Sequence, residues 1–472
     1  MHDQRALTSA DVIAGGAAFS AYAAASYAVL QRINEAAGEP YMDEVFHVPQ
    51  AQQYCAGRFD AWDPKLTTPP GLYLVSSMVL GPTSSRCTTA HLRLTNWILG
   101  LLVFWSVFAI LRALHPRLSA AATAAAALAV SITPVVFFFH HLYYTDTGSL
   151  LFVLLAYAAS LRDRHLVAAA LGFASLWFRQ TNVVWVVVFV GGTAVLRRIR
   201  QMMGGIGGDG ESLASEAAQL VRWIVPRAGA CERWRVIMAV VAPYACVGLA
   251  FAAFVCANHG SIVLGDKAHH QAAIHIPQVM YFCAYAGFVL APTVLATGAG
   301  VRWAIGALRS PRNLAQVAAL CAVLGVCVKH FTIEHPFLLS DNRHYPFYVW
   351  KNLIRRHWAV RYAAIPAYVY SAAAIHRCLS ARSAPTDALW RAVFAVCTAA
   401  VLVPSPLLEP RYFTIPLVIA RLHMADTTTF GMRRLAMEAA WCGAINAVTI
   451  WVFLNKPFAW DSEPGRLQRF MW

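Results

Sequence analysis

Long apolar stretches recur along almost the whole chain, and they limit its fold more than any other feature of the sequence. A helix of about 20 apolar residues crosses the ~30 Å hydrocarbon core of a bilayer. Because lipid cannot satisfy backbone polar groups, a spanning segment must be a helix or part of a closed barrel, and Ala and Leu favour helix. The stretches lie near residues 12–30, 94–114, 118–138, 147–160, 165–178, 183–197, 236–257, 278–297, 314–330, 358–375, 389–405, 411–424 and 434–454. They predict an all-α polytopic membrane protein with about 12–14 transmembrane helices, the first being a retained signal anchor.

Composition and charge distribution agree with a membrane protein. Hydrophobic residues make up 58% and charged residues 13% of the chain, whereas soluble proteins have about half and a quarter. Arginines lie in alternate connections, which the positive-inside rule assigns to the cytosol. These connections are 111–118, 161–165, 197–236, 302–312, 376–383 and 430–434. Topology therefore accounts for the net charge of +15, and no basic aromatic module for nucleic acid is present.

The chain is interpreted as one integral membrane domain over residues 1–472. A first loop at 31–93 and a second at 331–357 fall on the non-cytosolic face and are rich in His, Asp and aromatic residues. The loop at 197–235 contains a Gly-rich connector and is expected to be flexible and cytosolic. The segment 70–81 is either a re-entrant or an additional span.

Adjacent carboxylates open the first of these loops. Asp43 and Glu44 are followed by His47 and Gln50. On a helix Asp43, His47 and Gln50 share one stripe, while Glu44 points about 100° away. A carboxylate outside the membrane and backed by a histidine can act as a general base. The alternative is a solvated helix cap.

The loop at 331–357 combines charges with prolines and aromatic residues. It is too polar to span the membrane and too aromatic for a plain linker. Its central residues are Asp341, Asn342, Arg343, His344 and Tyr345. Since a guanidinium offers five donors in a planar fork, Arg343 is suited to a phosphate. An interfacial aromatic belt with solvated charges is the alternative.

Two further polar groups interrupt apolar stretches. Arg179 lies between two of them. Ionisable residues at membrane depth are costly and by default functional. The alternative is that the Arg179 side chain extends to the membrane interface and has no functional role. Glu409 and Arg411 lie between two others, where a structural ion pair is the simpler account.

Metal and disulfide sites have little support in the sequence. The pairs His140/His141 and His269/His270 lack the spacing of a metal-binding helix, so no metal is expected. Cys55 and Cys87 are the two cysteines of the first loop, and a bond between them is possible but unsupported.

The position of the charges separates two functional classes. A transporter is expected to place polar residues at mid-span in broken helices. Here they concentrate in loops on one face, which favours chemistry at the membrane surface, with a transporter as the alternative.

Several segments resemble a known family. They read PYMDEVFHVPQAQQYC, FRQTNVVW, GDKAHHQAAIHIPQ, HPFLLSDNRHYPFYVWK and RLQRFMW, in order from residue 40 to the end of the sequence. The resemblance is to the endoplasmic-reticulum α-1,2-glucosyltransferases that use dolichyl-phosphate glucose. It implies a GT-C glycosyltransferase fold with a luminal active site and no cofactor. It also implies inverting transfer of the last glucose to the dolichyl-diphosphate oligosaccharide Glc2Man9GlcNAc2. The alternative is a transferase of lipid-linked sugars that uses a different donor.

The resemblance also implies roles for the polar residues. Asp43 matches the acidic residue of the first luminal loop and is expected to be the base, with Glu44 as the neighbouring alternative. The candidates for the donor phosphate are Arg343, His344, Arg179 and Arg411. The candidates for the acceptor are His47, Gln50, Trp62, Asp341, Asn342, Tyr345 and Glu409, with Tyr348 and Trp350 as further sugar-stacking faces. The oligomeric state is left open.

Overall fold

The computed structural model describes residues 8–81, 86–204, 212–224, 230–267, 271–424 and 431–472. Nearly all regular structure in these ranges is helical. The first helices are α1 (Ser9–Ala36), α2 (Glu44–Cys55), α3 (Gly71–Leu80), α4 (Thr89–Leu114), α5 (Ala120–Ser131), α6 (Pro134–Phe139), α7 (Thr145–Ser160), α8 (His165–Leu176), a π-helix (Val184–Gly191) continued by α9 (Gly192–Met202), and α10 (Leu213–Ile224).

The second half of the chain continues the same pattern. Its helices are α11 (Ala230–Ala257), α12 (Pro277–Val289), α13 (Ala291–Ala296), α14 (Ala299–Arg309), α15 (Pro311–Phe331), α16 (Pro336–Ser340), α17 (Tyr345–Val349) with a π-turn (Trp350–Ile354), α18 (Val360–Ala363), α19 (Ile365–Leu379), α20 (Ala388–Leu402), a 3₁₀ turn (Pro410–Phe413), α21 (Thr414–His423) and α22 (Met432–Asn455). Strands β1 (Phe458–Ala459) and β2 (Leu467–Gln468) form a short antiparallel pair.

The predicted all-α membrane class is confirmed, and each predicted apolar stretch forms helix. Within the described ranges, α1, α4, α11, α15 and α22 are long and apolar enough to cross a membrane, and shorter apolar helices lie among them. The predicted stretches 118–138 and 278–297 are each divided between successive helices, because Pro134 starts α6 and Pro292 lies at the start of α13. Proline has no N–H to donate and fits the first turn of a helix.

Burial varies strongly among the long helices. Half of the apolar window of α4 is buried, and α4 packs against α1, α5 and α7 in the centre of the bundle. Only 6% of the corresponding window of α15 is buried, and Leu320, Val323 and Val326 are exposed on its surface. Such a helix, apolar on its outer face, is suited to contact with lipid.

Four polar segments come together in the structure. The loop before α2, the segment after α6, the segment before α21 and the loop between α15 and α17 meet around the start of α2. The chain beyond α22 folds back onto the same place, where Met471 forms a parallel bridge with His344. These contacts build the candidate site.

Candidate active site

The two adjacent carboxylates diverge at the start of α2. Met42 has a positive φ of 56°, and Asp43 is the N-cap residue of the helix. This turn sends Glu44 into the protein, where none of its side chain is exposed, while the side chain of Asp43 remains 41% exposed. The divergence agrees with the phasing predicted from the sequence.

Glu44 is surrounded by hydrogen-bond donors. Its carboxylate accepts bonds from Arg93 Nε at 2.8 Å, from the Tyr143 backbone N–H at 2.6 Å and from the Tyr41 backbone N–H at 2.9 Å. Arg93 Nη2 also donates to it, and the Arg93 side chain is itself fully buried. The pair ties α2 to α4 and fixes the Glu44 side chain inside the protein.

Asp43 faces Arg411, which comes from the segment before α21. Arg411 Nη1 donates to Asp43 Oδ2 at 2.9 Å, and Arg411 Nη2 lies 2.7 Å from Glu409 Oε2. The Asp43 backbone N–H donates to the Tyr144 hydroxyl at 3.1 Å, and the Arg411 guanidinium lies 5.2 Å from the Tyr144 ring. The contact joins positions 368 residues apart in sequence.

A second arginine lies on the far side of Arg411. Arg179 Nη2 lies 2.8 Å from Asp146 Oδ1, and Arg411 Nη1 lies 3.8 Å from Asp146 Oδ2. The Arg179 guanidinium also lies 5.4 Å from the ring centroid of Tyr412. Asp146 thus holds the two guanidinium groups close together.

Two cavities meet at Arg411. The larger, of about 370 Å³, is lined by Thr68, Asp146, Arg179 and Thr414 among others. The smaller, of about 180 Å³, has among its lining residues Asp43, His344, Glu409 and Trp472. Arg411, Phe337 and Leu407 line both. The arrangement places a carboxylate on one side of a shared arginine and a second arginine on the other.

The larger cavity contains buried donors that the protein leaves unused. Arg179 Nε, Thr68 Oγ1 and Thr414 Oγ1 are buried without a hydrogen-bond partner among the described residues. A buried donor without a partner costs about 1–3 kcal/mol. Unused donors on the lining residues of one cavity are therefore suited to an anionic ligand such as a phosphate.

The electrostatics of the smaller cavity favour an ionised Asp43. Partial burial alone would raise the pKa of its carboxyl, but the charges of Arg411 and His47 and the hydrogen bond from Arg411 lower that pKa below its ordinary value. Burial lowers the pKa of His47, whose Nδ1 is 2.6 Å from the Tyr73 hydroxyl. Asp43 is thus a carboxylate at neutral pH.

The charged residues after α16 are held by one another. Arg343 makes a bidentate pair with Asp341, with N to O distances of 2.9 and 2.7 Å, and donates to Gln468 at 2.9 Å. Its guanidinium lies over the Trp460 ring, and the Trp460 indole N–H donates to Asn342. Burial raises the pKa of Asp341, but the hydrogen bonds from Arg343 lower it more, so the pKa lies below its ordinary value.

Other predicted acceptor residues lie in structural contacts nearby. The Gln50 amide donates to the Ala61 carbonyl and accepts from the Asp63 backbone N–H, which shapes the loop after α2. Trp62 is partly buried with its ring 6.1 Å from that of Tyr73. The tyrosines of α17 contact the chain terminus, where Tyr345 meets Trp472 and Tyr348 meets Phe470. The indole of Trp350 is buried and donates to Glu334.

Metal-binding groups are not gathered anywhere in the ranges that the structure describes. No cluster of three His, Cys, Asp or Glu side chains suited to a metal is found there. His140 and His141 are buried and contact Tyr22 and Ser26 respectively. His269/His270 lie outside the described residues. The expectation that no metal is required stays a prediction.

Three residues of this region were not predicted from the sequence. Asp146 ends the polar segment HHLYYTD, so its position on the active face was visible but its partners were not. Arg93 is the last residue of the loop at 31–93 and directly precedes the apolar stretch 94–114, so the sequence did not show its partner. Trp472 was part of a resembling segment without an assigned role. Cys55 and Cys87, whose pairing the sequence left open, form a disulfide.

The comparisons with known proteins agree over almost the full length. A sequence model described as the DIE2/ALG10 family matches residues 37–422. A Mus musculus protein is 36% identical over 97% of this chain and 98% of its own length. Homo sapiens and Arabidopsis thaliana proteins are each 34% identical, covering 97% and 93% of this chain and 98% and 96% of their own. All three are named "Dol-P-Glc:Glc(2)Man(9)GlcNAc(2)-PP-Dol alpha-1,2-glucosyltransferase". No solved structure matches.

Proposed function

The chain belongs to the DIE2/ALG10 family, and on this premise we propose that it is an inverting α-1,2-glucosyltransferase of lipid-linked oligosaccharide assembly. It transfers glucose from dolichyl β-D-glucosyl phosphate to Glc2Man9GlcNAc2-PP-dolichol. The observation that carries the proposal is the similarity to relatives of this name over nearly the whole of both chains. The charges of the candidate site support it, since they lie in loops at one face and not along a path through the bundle.

The reaction is one direct displacement at the anomeric carbon. The 2-hydroxyl oxygen of the acceptor's terminal glucose attacks that carbon, its proton passes to the Asp43 carboxylate, and the bond to the phosphate oxygen breaks. Dolichyl phosphate leaves with the electron pair as an anion, so no general acid is needed. Displacement from the opposite face turns the β-linked donor into an α-linked product. Asp43 suits this role because it is ionised and lines a cavity.

Glu44 is not the base in this proposal. All of its side chain is buried, and its oxygens already accept bonds from the Arg93 side chain and two backbone N–H groups. A substrate hydroxyl would have to displace these donors from a closed site. Between the two carboxylates, geometry therefore favours Asp43.

Arg179 and Arg411 bind the donor phosphate in this scheme. Both line the larger cavity, where Arg179 Nε and the hydroxyls of Thr68 and Thr414 are unused. Positive charge aimed at a leaving group stabilises the charge that develops in the transition state. Arg343 is assigned a structural role, because Asp341 and Gln468 occupy the donors of its guanidinium. His344 lies with Asp43 in the smaller cavity.

The dolichyl chain extends from the larger cavity into an apolar one. A cavity of about 240 Å³ is lined by Phe173, Trp177 and Phe254 among others. It shares Gln180 and Phe251 with the larger cavity, so a phosphate there leaves its isoprenoid tail beside apolar side chains. Burial of such a chain contributes about 0.8 kcal/mol per CH₂.

We assign the active face to the lumen of the endoplasmic reticulum. The Cys55–Cys87 disulfide ties the end of α2 to the segment just before α4, and disulfides persist in oxidising compartments such as the reticulum lumen. Arginines concentrate in the connections of the opposite face, as the positive-inside rule requires of cytosolic loops.

Transfer of labelled glucose tests the activity. The purified protein is incubated with synthetic dolichyl-phosphate glucose and a diglucosylated lipid-linked acceptor, and the product is examined for an α-1,2-linked third glucose. A parallel incubation with dolichyl-phosphate mannose tests donor identity. Transfer from the glucose donor alone supports the proposal. Sugar uptake into proteoliposomes without transfer would instead favour a transporter.

A further inference from the structure

The end of the chain forms part of the wall beside Asp43. Trp472 lines the smaller cavity together with Asp43, His344, Glu409 and Arg411. None of the roles proposed above uses this residue. It is an aromatic side chain next to the carboxylate that receives the acceptor's proton.

Hydrogen bonds hold the terminal segment firmly in this position. The Met471 N–H donates to the Arg343 carbonyl at 2.8 Å, and the Tyr345 N–H donates to the Met471 carbonyl at 3.0 Å. His344 Nδ1 lies 2.8 Å from the backbone oxygen of Trp472. Arg469 is buried and donates to backbone carbonyls at the end of α22. The segment is therefore a fixed part of the cavity.

The aromatic rings around Trp472 leave polar atoms unused. Its ring packs edge-on against Tyr345 and Tyr285, with centroid distances of 5.3 and 6.2 Å. Trp472 Nε1 and the Tyr345 hydroxyl are buried without a hydrogen-bond partner in the part of the chain that the structure describes. Buried donors without a partner are costly, and binding sites use a few such groups to orient a ligand.

We propose that Trp472 binds the terminal sugar of the acceptor and helps to select it, with the indole N–H donating to a sugar hydroxyl. The inference rests on the glucosyltransferase activity proposed above. It follows from position, because the sugar whose 2-hydroxyl reaches Asp43 must occupy the cavity that Trp472 lines. The donor phosphate lies across Arg411 in the other cavity, so Trp472 acts on the acceptor and not on the donor.

Trp472→Phe removes the indole N–H and keeps an aromatic ring. A neutral hydrogen bond contributes about 0.5–1.5 kcal/mol, so the KM for the acceptor should rise about 2- to 10-fold, while the KM for dolichyl-phosphate glucose stays unchanged. Trp358→Phe is the matched control, since that tryptophan is 70% exposed and outside both cavities. Melting temperatures of the variants check that the fold is retained.

A second measurement uses altered acceptors. Three diglucosylated acceptors, each lacking the 3-, 4- or 6-hydroxyl of the terminal glucose, are compared with the natural one. With the wild-type protein, one of these acceptors should have a higher KM than the natural acceptor. With Trp472→Phe, the KM values of that acceptor and the natural one should be equal. An unchanged acceptor KM in Trp472→Phe, a change confined to the donor KM, or equal use of all acceptors by the wild-type protein would overturn the inference. Absence of any transfer by the wild-type protein would instead refute the underlying activity.

Discussion

Replacing Glu44 by glutamine should destabilise the protein without abolishing catalysis. The substitution keeps the size of the side chain but leaves the charge of Arg93 buried without its counter-ion. Breaking a buried pair in this way costs about 3–5 kcal/mol. The amide would also bring its own donors toward the backbone N–H groups of Tyr41 and Tyr143, which now donate to the carboxylate. We therefore expect a cost at the upper end of that range.

Thermal unfolding in detergent measures the effect, together with turnover at a temperature well below the transition. The melting temperature should fall clearly, and kcat per folded molecule should remain within about tenfold of the wild-type value, since loss of a base costs more than that. The double variant Glu44→Met/Arg93→Met should recover part of the lost stability, because apolar residues often replace a buried pair at little cost. A normal melting temperature with turnover lost in Glu44→Gln would refute the structural assignment and make Glu44 the base.

Three further predictions concern the donor, pH and metals. Arg179→Ala removes charge from the larger cavity and should raise the KM for dolichyl-phosphate glucose more than the KM for the acceptor, as initial rates at varied donor would record. Because Arg411 lowers the pKa of Asp43, the base is protonated only as pH falls through a pKa below its ordinary value, and the acid limb of the rate profile should move to higher pH in Arg411→Gln. Treatment with EDTA should leave turnover unchanged, and inactivation reversed by Mg²⁺ or Mn²⁺ would contradict this.

Local patterns predicted the helices and the divergence of the two carboxylates. Hydropathy located the apolar helices because each one has a continuous apolar surface, which is either buried in the protein or exposed to lipid. Helical phasing separated Glu44 from Asp43 because α2 begins there. Prolines at helix starts were visible in the sequence, but the breaks that they cause at Pro134 and Pro292 were not predicted.

The partners of the site residues could not be predicted in the same way. Asp43 and Arg411 are 368 residues apart, and Glu44 and Arg93 are 49 apart. Such pairs depend on how distant helices pack, which no local period encodes. Arg343 likewise looked free to bind phosphate, whereas Asp341, two residues before it, and Gln468, 125 residues away, occupy its donors.

The rate of glucose transfer by Asp43→Asn tests the central claim most directly. The change removes the proton acceptor and keeps the size of the side chain, and Arg411 retains Glu409 and Asp146 as ionic neighbours. We expect kcat with dolichyl-phosphate glucose and the diglucosylated acceptor to fall about 10²- to 10⁴-fold, with a melting temperature close to that of the wild type. Near-normal kcat in the folded variant would contradict the account, because the hydroxyl proton would then have to pass to another group.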